Sequence, residues 1–153
     1  MREVEAAAVI LEKDYGFAAD IWSMTSVNEL ARDGHKVSRR NMMNPAEEPE
    51  VPYVTQCLAP TEGPIIAATD YIRAHTNQIR EFMPRSFTVL GTDGFGRSDT
   101  RAQLREFFEV DRRYVVLAAM TALADEGVVS RADVVKVMTD LGIDPAKPDP
   151  TTV

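Results

Sequence analysis

Apolar residues recur at helical spacing from the first turns of the chain: Val4, Ala7, Ala8, Leu11 and Tyr15 form one stripe, with Glu3, Glu5, Glu12 and Lys13 off it. Gly16 is placed to end that helix. Phe17–Met24 contains Ile21 and Trp22 and predicts a strand, after which Ser26 and Glu29 make a capping box for a second helix. Asn41–Pro52 carries three prolines and the acidic Glu47, Glu48 and Glu50, which predicts a surface loop. Val51–Leu58 and Gly63–Ala68 are apolar runs separated by Pro60 and Gly63, so they predict two strands with a turn at Ala59–Glu62.

Thr69 or Asp70 can cap a helix in which Tyr71, Ile72, His75, Ile79 and Phe82 make one stripe, ending before Pro84. Ser86–Asp99 then joins a short apolar run to a glycine-containing loop, and Thr100 with Gln103 forms a T-x-x-Q cap. The pattern is strand, loop, helix. Thr100–Phe108 is the next helix. Asp111 caps a more apolar one through Val115, Val116, Leu117, Ala119, Met120 and Leu123, closed by Gly127. Ser130 with Asp133 starts the last helix, with Val134, Val137, Met138 and Leu141 facing inward and Gly142 as its stop. Residues 1–144 read as one domain, and Pro145, Pro148 and Pro150 predict an extended tail over 145–153.

Strands alternating with helices predict an α/β domain, a parallel or mixed sheet covered on both faces. Such a domain seldom opens on a helix, because that helix normally crosses over from a preceding strand. The expectation is therefore a first strand upstream of residue 1, with Met1 not the natural start.

Composition narrows the function classes. The 153 residues are 44% hydrophobic and 27% charged, enough for one domain with its own core. A formal net charge of −7, with no window rich in Lys and Arg, argues against nucleic acid. The longest apolar stretch, Tyr114–Ala124, is too short to span a bilayer, and Arg2, Glu3 and Glu5 do not fit a signal peptide, so the expected location is cytoplasmic. A lone Cys57 rules out an internal disulfide and reads as a small hydrophobe buried among strands.

Few residues suggest chemistry. The two histidines have no metal-ligand spacing, and Cys57 with His75 reads as packing rather than as a nucleophile and base. Asp70, Asp93 and Asp99 stand where turns and caps favour Asp. Met42, Met43 and Met83 read as gap fillers. Arg97, on a loop loosened by Gly94 and Gly96, suits a carboxylate, a phosphate or a partner subunit. Backbone N–H groups at such a helix start can hold an anion, so one reading is an independent α/β module binding a small anionic ligand at Gly94–Thr100.

A second reading comes from resemblance. The blocks ILEKDYGFAADIWSMTS, SVNELARDGHKVSRRNMMNP, PYVTQCLAPTEGPIIAATDY and VLGTDGFGRSDTRAQLREFFEVDRRYVV, in this order, resemble the C-terminal part of the homodimeric pyruvate dehydrogenase decarboxylating component. The most specific piece is LGTDGFGRSD, followed by FEVD at Phe108–Asp111. The resemblance covers nearly the whole chain and implies a transketolase-like C-terminal domain, a three-layer α/β/α sandwich. It further implies an enzyme that decarboxylates pyruvate with thiamine diphosphate and magnesium and passes acetyl to a lipoyl group on dihydrolipoyl acetyltransferase. The family's cofactor motif, G-D-G, is missing: Asp33-Gly34 and Asp93-Gly94 lack the preceding glycine. No catalytic, cofactor-binding or metal-binding residue therefore carries over, and the fragment is expected to bind neither cofactor. The role implied is structural, completing the subunit and supporting a homodimer, with Thr92, Asp93, Gly94, Phe95, Gly96, Arg97, Ser98 and Asp99 as the candidate interface or anion loop.

Overall fold

Two four-residue strands at the centre divide the apolar side chains into two groups. In a computed structural model describing residues 1–153, β1 (Ile65–Ala68) pairs in parallel with β2 (Phe87–Leu90), Ile65 opposite Phe87 and Ala68 opposite Leu90. Side chains alternate across a strand. Ile66, Ala68 and Leu90 therefore join one core with Ala7, Leu11, Val116, Met120 and Val137, while Ile65, Ala67, Phe87 and Val89 join another with Ala31, Val54, Ile79 and Phe82. The first core belongs to α1 (Arg2–Tyr15), α6 (Arg112–Asp125) and α7 (Arg131–Asp140). The second belongs to α2 (Val27–Met43), α3 (Tyr53–Leu58) and a 3-10 turn at Arg80–Phe82. Helices cover both faces, so the three-layer α/β/α arrangement holds, on a sheet that is parallel and two-stranded rather than mixed.

The helices with local stripes and caps form as the pattern predicts. In α1, Ala7 and Leu11 are buried, and Gly16, at φ 77°, takes the left-handed C-cap position, its N–H donating to the Glu12 carbonyl while the Phe17 N–H donates to that of Leu11. Val116 and Met120 are the most buried residues of α6, each stabilising the fold by roughly 1.5–3 kcal/mol through burial. Asp111 caps α6, accepting from the N–H groups of Arg113 at 2.9 Å and Tyr114 at 3.3 Å. Ser130 and Asp133 form a reciprocal capping box on α7.

Several expectations fail. Phe17–Met24 forms no strand: Ala18–Ser26 is exposed throughout, and no residue from Ala18 to Met24 makes a hydrogen bond. A strand needs a neighbour, and this segment has none. Val51–Leu58 yields the helix α3, because a short apolar run does not by itself choose between helix and strand. Tertiary contacts decide it: Asp33 Oδ2 accepts the Tyr53 N–H at 2.7 Å, and the Thr55 hydroxyl donates to the Phe82 carbonyl at 2.6 Å. Cys57 consequently lies half-buried on a helix, one turn from Tyr53, and its neighbouring thiol raises the Tyr53 phenol above its usual pKa.

The single helix expected over 69–82 is broken into α4 (Arg73–Asn77) and the 3-10 turn, leaving Tyr71 and Ile72 exposed. Thr69 Oγ1 accepts the Tyr71 N–H at 3.1 Å, a local turn that competes with helix. Ser26 stands at the N-cap of α2 without a side-chain bond, and Glu29 is drawn to Arg32 at 2.6 Å. Met42 and Met43 are exposed, so only Met83 fills a core gap. The tail folds back through turns rather than running extended.

Candidate functional site

The loop after β2 is sewn to the segment after β1. Thr69 N–H donates to the Leu90 carbonyl at 3.0 Å, Thr92 N–H to the Tyr71 carbonyl at 2.9 Å, and the Thr92 hydroxyl to the Asp70 carbonyl at 2.8 Å. Gly91 lies in the seam, where a Cβ would come within 2.7 Å of the Tyr71 carbonyl oxygen. Asp93 closes it: one carboxylate oxygen accepts from Arg73 N–H at 3.1 Å and Arg73 Nε at 2.8 Å. Asp93 thus caps α4 from another part of the chain, which is why that helix starts at Arg73.

Beyond Asp93 the loop turns outward. Gly94 has φ 110°, a conformation side chains rarely adopt, and its Cα faces the tail so closely that a Cβ would sit 2.6 Å from the Pro150 carbonyl oxygen. Phe95 projects into solvent, 81% exposed. Arg97 turns back onto α5 (Arg101–Phe107), its guanidinium carbon 4.1 Å from the centroid of Phe107. Gly96 and Ser98 are exposed. Asp99 Oδ1 accepts the Thr100 N–H at 2.7 Å, and Thr100 caps α5 by accepting from Gln103 N–H at 3.3 Å.

Of the eight candidate residues, Thr92 and Asp93 hold the seam, Gly94 seats the tail, Asp99 serves a turn, and Phe95 to Ser98 form the exposed rim. Two clefts of about 310 Å³ flank the loop. One lies between Arg97, Ser98, Asp99, Gln103, Leu104 and Phe107. The other includes Arg73, Asp93, Glu109, Lys147, Asp149 and Pro150. Lys147 and Glu109 carry no signal in the sequence: the lysine lies in a proline-rich tail, and nothing local announces the positive φ of Glu109, 60°.

His75 and Cys57 do not form a pair. His75 sits beside the Tyr71 ring, centroids 5.2 Å apart, and Gln78, whereas Cys57 neighbours Tyr53. Nor do the residues present fit a metal and diphosphate group. No three His, Cys, Asp or Glu side chains converge. The carboxylates of both Asp-Gly pairs are taken, Asp33 by Tyr53 N–H and Asp93 by Arg73.

The model of the transketolase-like C-terminal domain matches residues 1–111, from α1 through the site loop to the cap of α6. The chain belongs to this family. Among its relatives, the pyruvate dehydrogenase E1 component of Cupriavidus necator is 53% identical over 152 residues, 99% of this chain and 17% of that protein. The protein of the same name from Pseudomonas aeruginosa is 51% identical over 151 residues, and that from Escherichia coli K12 46% identical over 151. The chain therefore spans about a sixth of the length of these relatives, at 17% of each. No helix is long and apolar enough to cross a membrane.

Proposed function

We propose that this chain is the C-terminal structural domain of a homodimeric pyruvate dehydrogenase E1 component acting in the cytoplasm. The enzyme would decarboxylate pyruvate with thiamine diphosphate and magnesium and transfer acetyl to the lipoyl group of dihydrolipoyl acetyltransferase, with both cofactors held elsewhere. The observation that carries this reading is 53% identity along 152 residues to a protein of which they make up only 17%.

Physical features support it. β1 and β2 each have one unpaired edge, and parallel strands are ordinarily paired and covered. Ile21, Trp22 and Met24 lie exposed on the unpaired segment after α1. The rest of the enzyme would supply strands to this sheet and cover that segment. Phe95, exposed between two glycines, would be the aromatic anchor of the loop at a subunit or domain interface. The anion-module reading has weaker support, since Arg97 is stacked on Phe107 and Asp93 is paired with Arg73.

Activity assays with pyruvate, thiamine diphosphate and magnesium test the proposal. The chain alone should consume no pyruvate, and mixing it with the remaining polypeptide of the enzyme should restore turnover. Pyruvate consumption by the chain alone would overturn the reading. Saturable heat on titration with phosphate or nucleotides, abolished by Arg97→Ala, would favour the anion module instead.

A further inference from the structure

The C-terminal segment is held by groups that a loose tail would not engage. Lys147 Nζ donates to the Phe107 carbonyl and to Glu109 Oε1, each at 2.8 Å. Phe107 is the last residue of α5, so its carbonyl has no partner within that helix, and the ammonium supplies one. The same ammonium lies 5.3 Å from the Tyr114 ring centroid and 5.8 Å from that of Phe107. With side chains only 22% and 37% exposed, Lys147 and Glu109 are more sheltered than an ordinary surface pair.

Further along, Pro150 is buried and its carbonyl abuts Gly94. The segment between is internally tied. Asp149 Oδ1 accepts from the N–H and hydroxyl of Thr151 at 2.8 and 2.7 Å, and Lys147 N–H donates to the Asp144 carbonyl at 3.2 Å. Three prolines restrict the undocked segment, which lowers the entropy lost on docking.

These contacts meet the site loop at both of its ends. Pro150 bears on Gly94, and Lys147 holds Phe107, whose ring carries Arg97. Glu109, a non-glycine residue at φ 60°, keeps its left-handed conformation beside this anchor. We propose that Asp144–Val153 is a strap that fixes the Gly94–Arg97 loop and the Phe108–Val110 turn, and so sets how Phe95 is presented. The role given to Phe95 rests on the interface reading above; the clamping itself does not.

Hydrogen exchange on the full 153-residue chain tests the strap. Lys147→Met should speed exchange of the hydrogen-bonded amides of Thr92 and of 108–110 by about tenfold or more, leaving α1 and α7 unchanged, while Lys147→Arg should keep them slow. Wild-type rates in those segments of Lys147→Met would overturn the proposal. If Lys147→Met exchanges fast everywhere, Gly94→Ala decides: displacing Pro150 should speed exchange at Thr151 and Thr152, and unchanged rates there would overturn it. A Phe95→Ala chain that loses association with the remaining polypeptide at wild-type exchange rates supports the interface reading separately. Retained association would count against that reading alone.

Discussion

The ring of Phe82 fills the space that a side chain at Gly34 would need: a Cβ there would lie 2.3 Å from Phe82 Cε2. Gly34 is buried mid-helix in α2, where glycine normally costs about 1 kcal/mol relative to alanine. Here the overpacking term, roughly 1–3 kcal/mol, outweighs that gain. Gly34→Ala should therefore lower stability by about 1–2 kcal/mol in urea unfolding. Adding Phe82→Leu should cost less in the Gly34→Ala background than in the wild type, and an additive double variant would contradict the contact.

Glu3 ties α1 to the start of α6. Its carboxylate accepts from Arg112 N–H at 3.1 Å and Nε at 2.9 Å, and Arg105 lies 3.6 Å away. The hydrogen bond from the Arg112 side chain holds the Glu3 carboxyl below its usual value near 4.5. The folded state thus binds this proton more weakly than the unfolded state does. The stabilisation is fully present above pH 4.5 and is lost as pH falls through the lower folded-state pKa. Glu3→Gln should cost about 1–2 kcal/mol at pH 7, and the difference from wild type should shrink in increasingly acidic buffer. A difference that stays constant with pH would exclude the linkage.

Two serines at N-cap positions should respond differently to alanine. Ser130 Oγ accepts the Asp133 N–H at 3.2 Å, whereas Ser26 makes no side-chain cap bond. Ser130→Ala should lower stability by about 1 kcal/mol and Ser26→Ala by only a few tenths. Equal losses in thermal unfolding would contradict the observed caps.

Trp22 is the sole tryptophan and is 55% exposed. Its emission should resemble that of a solvated indole and be quenched readily by acrylamide. Adding the remaining polypeptide should shift emission to shorter wavelength and protect it from quenching. Unchanged emission in a formed complex would place this segment outside the interface.

Most of what was legible in the sequence is local. The stripe of α1, the caps at Asp111 and Ser130, and the short apolar runs within Gly63–Ala68 and after Ser86 carry their own instructions within a few residues. The failures depend on distant groups. Phe17–Met24 has the side chains of a strand but pairs with no neighbour, and α4 takes its starting point from Asp93. At the site, the turn roles of Asp93 and Asp99 were visible, as was a loop loosened at Gly94 and Gly96, of which only Gly94 takes a conformation that needs glycine. The stacking of Arg97 on Phe107 and the anchoring by Lys147 were not, because aromatic and tail contacts leave no periodic trace.

Helix α1 packs on α6 through Ala7 and Leu11, and Glu3 grips Arg112 across the same boundary. The covalent connection through Ala18–Met24 adds no hydrogen bond to that attachment. A protease that nicks this connection should therefore leave both pieces associated, and peptide inserted there should be tolerated better than at any helix–helix junction.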